Sequence, residues 1–161
     1  MKYIFLDIDG VLNNRQHYRR CHKKYGGRFI CENMPFNPRS LKNLKRIVKY
    51  TDAKIILSSS WRMSKECMTI LKARLIEYGM KIYDVTKVID GDRGREITCY
   101  INDKEIGLVF DGSRVIIIDD NIKDIKNHFD KSYIVKTNPN KGLTYFKTLE
   151  AIWKLRTIYH D

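Results

Sequence analysis

Proline is scarce in this chain, three in 161 residues, and its nine glycines form no Gly-rich tract that would act as a linker. No internal repeat or low-complexity segment appears, so residues 1–161 are expected to form a single domain. No apolar run approaches the roughly 18 residues that a membrane-crossing helix needs, which excludes such a span. The short N-terminal apolar run is broken by Asp7 and Asp9 and lacks a small-residue cleavage site, so no secretion signal is expected. The four cysteines, Cys21, Cys31, Cys67 and Cys99, lie far apart without a CxxC pair, and Cys21, His22 and Cys31 match no standard zinc spacing. They are expected to be reduced thiols in a cytoplasmic setting. His17, His128 and His160 show no ligand spacing either. Negative charge is the minority sign: 19 acidic residues face 31 Lys and Arg. The net charge of +12 would steer polyanions toward the protein, although a basic solvated surface is the plainer alternative.

What is present is an alternation of buried strands and amphipathic helices. Tyr3 to Leu6 is an unbroken apolar run, the pattern of a strand covered on both faces. Ala53 to Leu57 reads as a second strand, Lys81 to Val85 as a weaker third, Arg114 to Ile118 as a fourth, and Tyr133 to Val135 as a short fifth. Between them lie helical patterns. Pro38 and Ser40 open one that carries Leu41, Leu44, Ile47 and Val48, and Gly79 closes another that carries Leu71, Leu75 and Tyr78. A short helix surrounds Ile97, Tyr100 and Ile101, and a final one is expected to turn Leu143, Phe146, Leu149, Ile152 and Leu155 inward. Residues 13–37 have no clear period and read as a small basic cap insertion. The order implies an α/β, Rossmann-like core, a mainly parallel sheet with helices on both faces.

Three of these strands end in chemistry: Asp7 and Asp9, then Ser58 to Ser60, then Asp119 and Asp120. In an open parallel sheet the carboxyl ends converge on the ligand crevice. Asp7 and Asp9 share a face of an extended chain and repel each other unless a cation lies between them or one keeps its proton. Carboxylates gathered in one crevice suit a hard cation, and magnesium fits best. One carboxylate can then attack phosphorus to form an aspartyl phosphate while a second moves the proton. Hydroxyls and N–H groups after the second strand can hold the phosphoryl oxygens, and a nearby cation can stabilise their charge.

The spellings FLDIDGVLN, IILSSSWR, RGREI and IIIDDN, in that order, resemble the four signature motifs of the haloacid dehalogenase (HAD) superfamily of phosphohydrolases. More narrowly they resemble the small HAD domains of nucleic-acid repair proteins, related to the phosphatase domain of polynucleotide kinase-phosphatases, and GLT at Gly142 to Thr144 fits that subgroup. The resemblance implies that Asp7 is the nucleophile and a metal ligand. It makes Asp9 the general acid and base, lending the metal its backbone carbonyl. It assigns the phosphoryl group to Ser58, with Ser59 as a second contact. Asp120 would ligate Mg2+ directly and Asp119 through water. Where most of the superfamily has Lys, RGREI offers Arg93 and Arg95, with Arg93 preferred because it precedes the glycine.

The resemblance thus implies a Mg-dependent phosphomonoester hydrolase acting on nucleic-acid 3′-phosphate ends; a repair kinase or ligase is a candidate partner on which the sequence itself is silent. The alternatives are a 5′-nucleotidase acting on (deoxy)mononucleotides and a nucleic-acid-binding module that keeps the fold with weak catalysis. A protein phosphatase is disfavoured, because Gly10 and Val11 stand where those relatives carry threonine. Basic and aromatic residues interleave at Tyr18, Arg19, Arg20, Lys23, Lys24, Tyr25 and Arg28, a pattern that grips backbone and bases. Trp61 and Arg62 are further candidates for the substrate, although packing under the next helix is the favoured role for Trp61. Ser60 is expected to cap that helix.

Overall fold

Hydrogen-bond register brings the ends of three strands to one level. The computed structural model describes residues 1–27, 35–104 and 114–157. Its elements are β1 (Lys2–Leu6), α1 (Arg15–Tyr25), α2 (Pro38–Thr51), β2 (Lys54–Leu57), α3 (Lys65–Glu77), β3 (Ile82–Val85), α4 (Arg93–Asp103), β4 (Arg114–Asp119), β5 (Ile134–Lys136) and α5 (Tyr145–Arg156). The five strands form one parallel sheet in the order β3-β2-β1-β4-β5. Leu6 pairs with Leu57 on one side and with Ile118 on the other, so β1, β2 and β4 run out at one level. The next residues, Asp7, Ser58 and Asp119, therefore emerge together. The Asp7 N–H still donates to the Ile118 carbonyl (3.0 Å) and the Ser58 N–H to that of Leu6 (3.1 Å).

Both faces of the sheet are covered, which is why the strands are continuous apolar runs. Ile4, Leu6, Ile55, Leu57, Ile116 and Ile118 face α2, α3 and α5. Tyr3, Phe5, Ile56, Val115 and Ile117 face α4, Ile125 and Phe129. No helix among the described residues is long and apolar enough to cross a membrane.

Four local expectations are corrected. First, α5 begins after its cap Thr144 and buries Thr148, Ala151 and Leu155, whereas Phe146 is 81% and Leu149 44% exposed. The chain carries two apolar stripes there, and the one with small residues lets α5 lie against α2. Second, 13–37 is not irregular throughout: α1 is a regular helix with no buried residue, so it has no core side to give a hydrophobic period. Third, Ser60 caps nothing. Ser59 caps the turn Ser60–Met63, and the Ser64 hydroxyl accepts from the Cys67 N–H at the start of α3. Fourth, Cys21 and Cys99 are free thiols but Cys67 is disulfide-bonded, a proximity that sequence spacing cannot reveal.

Candidate active site

The Asp7 side chain is almost wholly buried at the end of β1, and it sits among groups of both signs. Arg93 Nη1 lies 2.9 Å from Asp7 Oδ1 and 2.6 Å from Asp119 Oδ2. Asp119 is fully buried, and its other oxygen accepts the Asn121 N–H at 2.8 Å. Carboxylate oxygens of Asp7, Asp119 and Asp120 all lie within 4.8 Å of one another. Burial and the charge of Asp119 push the Asp7 carboxyl up to about 7, against the pull of Arg93, the Ser59 hydroxyl and the Ile8 N–H. Burial also raises the carboxyls of Asp119 and Asp120. Burial alone would lower Arg93, but Asp7 and Asp119 hold it above its ordinary value.

Three carboxylates gather at the guanidinium of Arg93, an excess of negative charge in a crevice of oxygen donors. That donor set fits a hard divalent cation, which would relieve the repulsion that now favours protonation. Close approach depends on Gly10. Its φ is +75°, and a Cβ there would meet Asp120 Cγ at 2.4 Å. The glycine after Asp9 thus lets the fourth-strand acid lie against the first-strand loop.

Asp9 is held differently. Its Oδ1 accepts from Asn13 Nδ2 (2.7 Å) and its Oδ2 from Trp61 Nε1 (3.0 Å). The side chain is exposed to the crevice and lies outside the three-carboxylate cluster. Trp61 is buried, in edge contact with Phe36 at 5.4 Å, so the indole both packs and orients the acid.

The three serines divide. The Ser59 hydroxyl donates to Asp7, Ser60 faces the crevice, and the fully buried Ser58 hydroxyl has no hydrogen-bond partner. Arg62 points inward: it binds the carbonyls of Ser58, Ser59 and Thr86 and forms a 2.6 Å ion pair with buried Glu96. It is therefore a strut behind the serine loop. Arg93 is brought into the site and Arg95 is not; Arg95 is exposed and pairs with Asp90 at 3.3 Å. Gly94 makes the approach of α4 possible, since a Cβ would meet His128 Cδ2 at 2.5 Å and the Asp124 carbonyl at 2.9 Å.

Asp7, Asp9, Ser60, Arg93 and Asp120 line a cavity of about 670 Å³ together with Asn13, Asn14, Arg15, Tyr18 and Arg19. The insertion helix α1 therefore overhangs the carboxylates. Arg19 faces this cavity, Arg20 faces a neighbouring one, and Lys23, Lys24 and Tyr25 line neither. Arg28 lies outside the described residues. The sequence reading did not single out Arg15 or Asn14, nor Asn13 as the partner of Asp9. Their one signal is a polar run directly after the first motif.

A model of the HAD domain in Swiss Army Knife RNA repair proteins matches residues 3–147, and the chain belongs to that family. The chain matches no curated protein and no solved structure.

Proposed function

We propose, from that membership and the geometry of the crevice, that the protein is a phosphomonoester hydrolase that removes terminal 3′-phosphates from nucleic acid. The observation that carries the proposal is the Asp7 carboxylate. It is buried at the floor of the crevice, with Asp119 and Asp120 beside it and Arg93 and the Ser59 hydroxyl in contact.

In this reading Asp7 attacks phosphorus, and the bond to the leaving sugar oxygen breaks as the aspartyl phosphate forms. Asp9 donates a proton to that oxygen and then takes one from the water that cleaves the acyl phosphate. Trp61 and Asn13 fix Asp9 for both transfers. Arg93 neutralises charge on the transferring group, and Ser59 and Ser60 supply hydroxyl or N–H contacts to its oxygens. Asp7, Asp119, Asp120 and the backbone carbonyl of Asp9 would hold Mg2+, which supplies charge stabilisation for the phosphoryl oxygens when bound. Arg15, Tyr18 and Arg19 on α1 line the crevice and in this reading meet the nucleotide that carries the phosphate, and the family's link to RNA repair supports a nucleic-acid substrate.

The test is a matched panel with Mg2+: DNA and RNA carrying 3′-phosphate, the same strands with 5′-phosphate, and mononucleotides. Preferential release from 3′-phosphorylated strands, abolished by Asp7→Asn, is expected. Release from mononucleotides at equal or higher kcat/KM would overturn the end-processing assignment.

A further inference from the structure

The crevice is not the only cavity under α1. A second one, of about 490 Å³, opens between that helix, the N-terminal turns of α2 and the GLT loop. Arg20, Arg39, Lys42, Arg46 and Lys141 line it, and among the described residues no carboxylate does. None of the five forms an ion pair among the described residues. Such a concentration of one sign, without a counter-charge, costs stability unless an anion supplies it.

Two of the residues that line it, Asn14 and Ser40, 5% and 1% exposed, each carry a buried polar atom without a partner, Nδ2 and Oγ. Orphaned donors of this kind are rare in native folds and point to a missing ligand or water. Gly142 keeps them clear. With φ at +68°, a Cβ there would lie 2.9 Å from both atoms and 2.6 Å from the Val11 carbonyl, which already accepts the Leu143 N–H. The GLT spelling is thus accounted for: Gly142 leaves room for Asn14 and Ser40, Leu143 is buried, and Thr144 caps α5. Asn14 lines both cavities, so the second site begins where the first ends.

We infer that the second cavity binds an internal phosphodiester of the same strand whose terminal phosphate enters the carboxylate crevice, making the protein selective for polymers over mononucleotides. This rests on the proposed function for the crevice itself. Asn14 Nδ2 and the Ser40 hydroxyl donate to the phosphate oxygens while Arg39, Lys42 and Lys141 neutralise it. The arrangement takes a backbone and ignores base identity.

The experiment compares the wild-type protein with a triple variant, Arg39→Gln, Lys42→Gln and Lys141→Gln, and separately with Ser40→Ala. Substrates are p-nitrophenyl phosphate and 3′-phosphorylated oligonucleotides of increasing length. Binding of a fluorescent oligonucleotide without a terminal phosphate is followed by anisotropy. In the wild type kcat/KM should rise with length. The triple variant should lose that rise, by about tenfold or more for the longest strand. Its binding should lose up to about three units of salt slope, while p-nitrophenyl phosphate turnover is unchanged. Ser40→Ala should weaken oligonucleotide binding without lowering the melting temperature, because its hydroxyl has no partner to lose. An unchanged length dependence and salt slope in the triple variant would overturn the inference. If no phosphomonoester is cleaved by any form, the catalytic reading fails by itself, and the anisotropy arm still decides the second site.

Discussion

Asp9 shows how residue-scale positioning decides the chemistry, since its two oxygens are each tied to a separate neighbour, Asn13 and Trp61. Trp61→Phe keeps an aromatic ring against Phe36 but removes the donor. It should cut kcat by about tenfold, more than it affects KM, with the melting temperature little changed. An undiminished kcat in steady-state assays would remove Trp61 from the account. The two arginines of RGREI offer a sharper contrast. Arg93→Ala should lose about a hundredfold or more in kcat/KM, whereas Arg95→Ala, at an exposed ion pair, should stay within about twofold. The carboxylates and the arginine were legible in the sequence because each follows or opens a recognisable element. The division among Ser58, Ser59 and Ser60 was not, because only the exit of β2 from the sheet decides which hydroxyl turns toward Asp7.

At the scale of elements, the serine loop is tied to α4 by the buried Arg62–Glu96 pair, whose side chains are 6% and 4% exposed. Arg62→Met would leave the buried Glu96 carboxylate without its counter-charge, held only by the Ile89 N–H. It should cost about 3–5 kcal/mol in urea denaturation, and adding Glu96→Leu should recover most of that. A loss no greater than that of a surface substitution would contradict the strut. The strands were readable because their pattern, unbroken and β-branched, follows from burial on both faces. The faces of α5 were not: Phe146 and Leu149 share helical spacing with each other as well as Ala151 does with Leu155, and only the fit to α2 selects the small-residue side. The helix α1 escaped notice for the complementary reason that it buries nothing.

On the scale of the whole molecule, the crevice is a concentration of negative charge inside a chain of net charge +12. The folded-state value near 7 for Asp7 lies above its ordinary 3.8, so between roughly pH 4 and 7 the metal-free fold holds a proton that the unfolded chain releases. The contribution of Asp7 to stability is therefore lost as pH rises through that window. Magnesium should raise the melting temperature by more at pH 8 than at pH 5 in scanning fluorimetry against EDTA, because below about 7 the cation competes with a proton. The measurement that bears most directly on the central claim is covalent trapping. The protein is mixed with an oligonucleotide bearing a radiolabelled 3′-phosphate, quenched in acid within one turnover and digested for peptide mapping. Label on the peptide that contains Asp7, absent from Asp7→Asn, is the predicted result. Full turnover with no label on that peptide, or activity retained in Asp7→Asn, would contradict it.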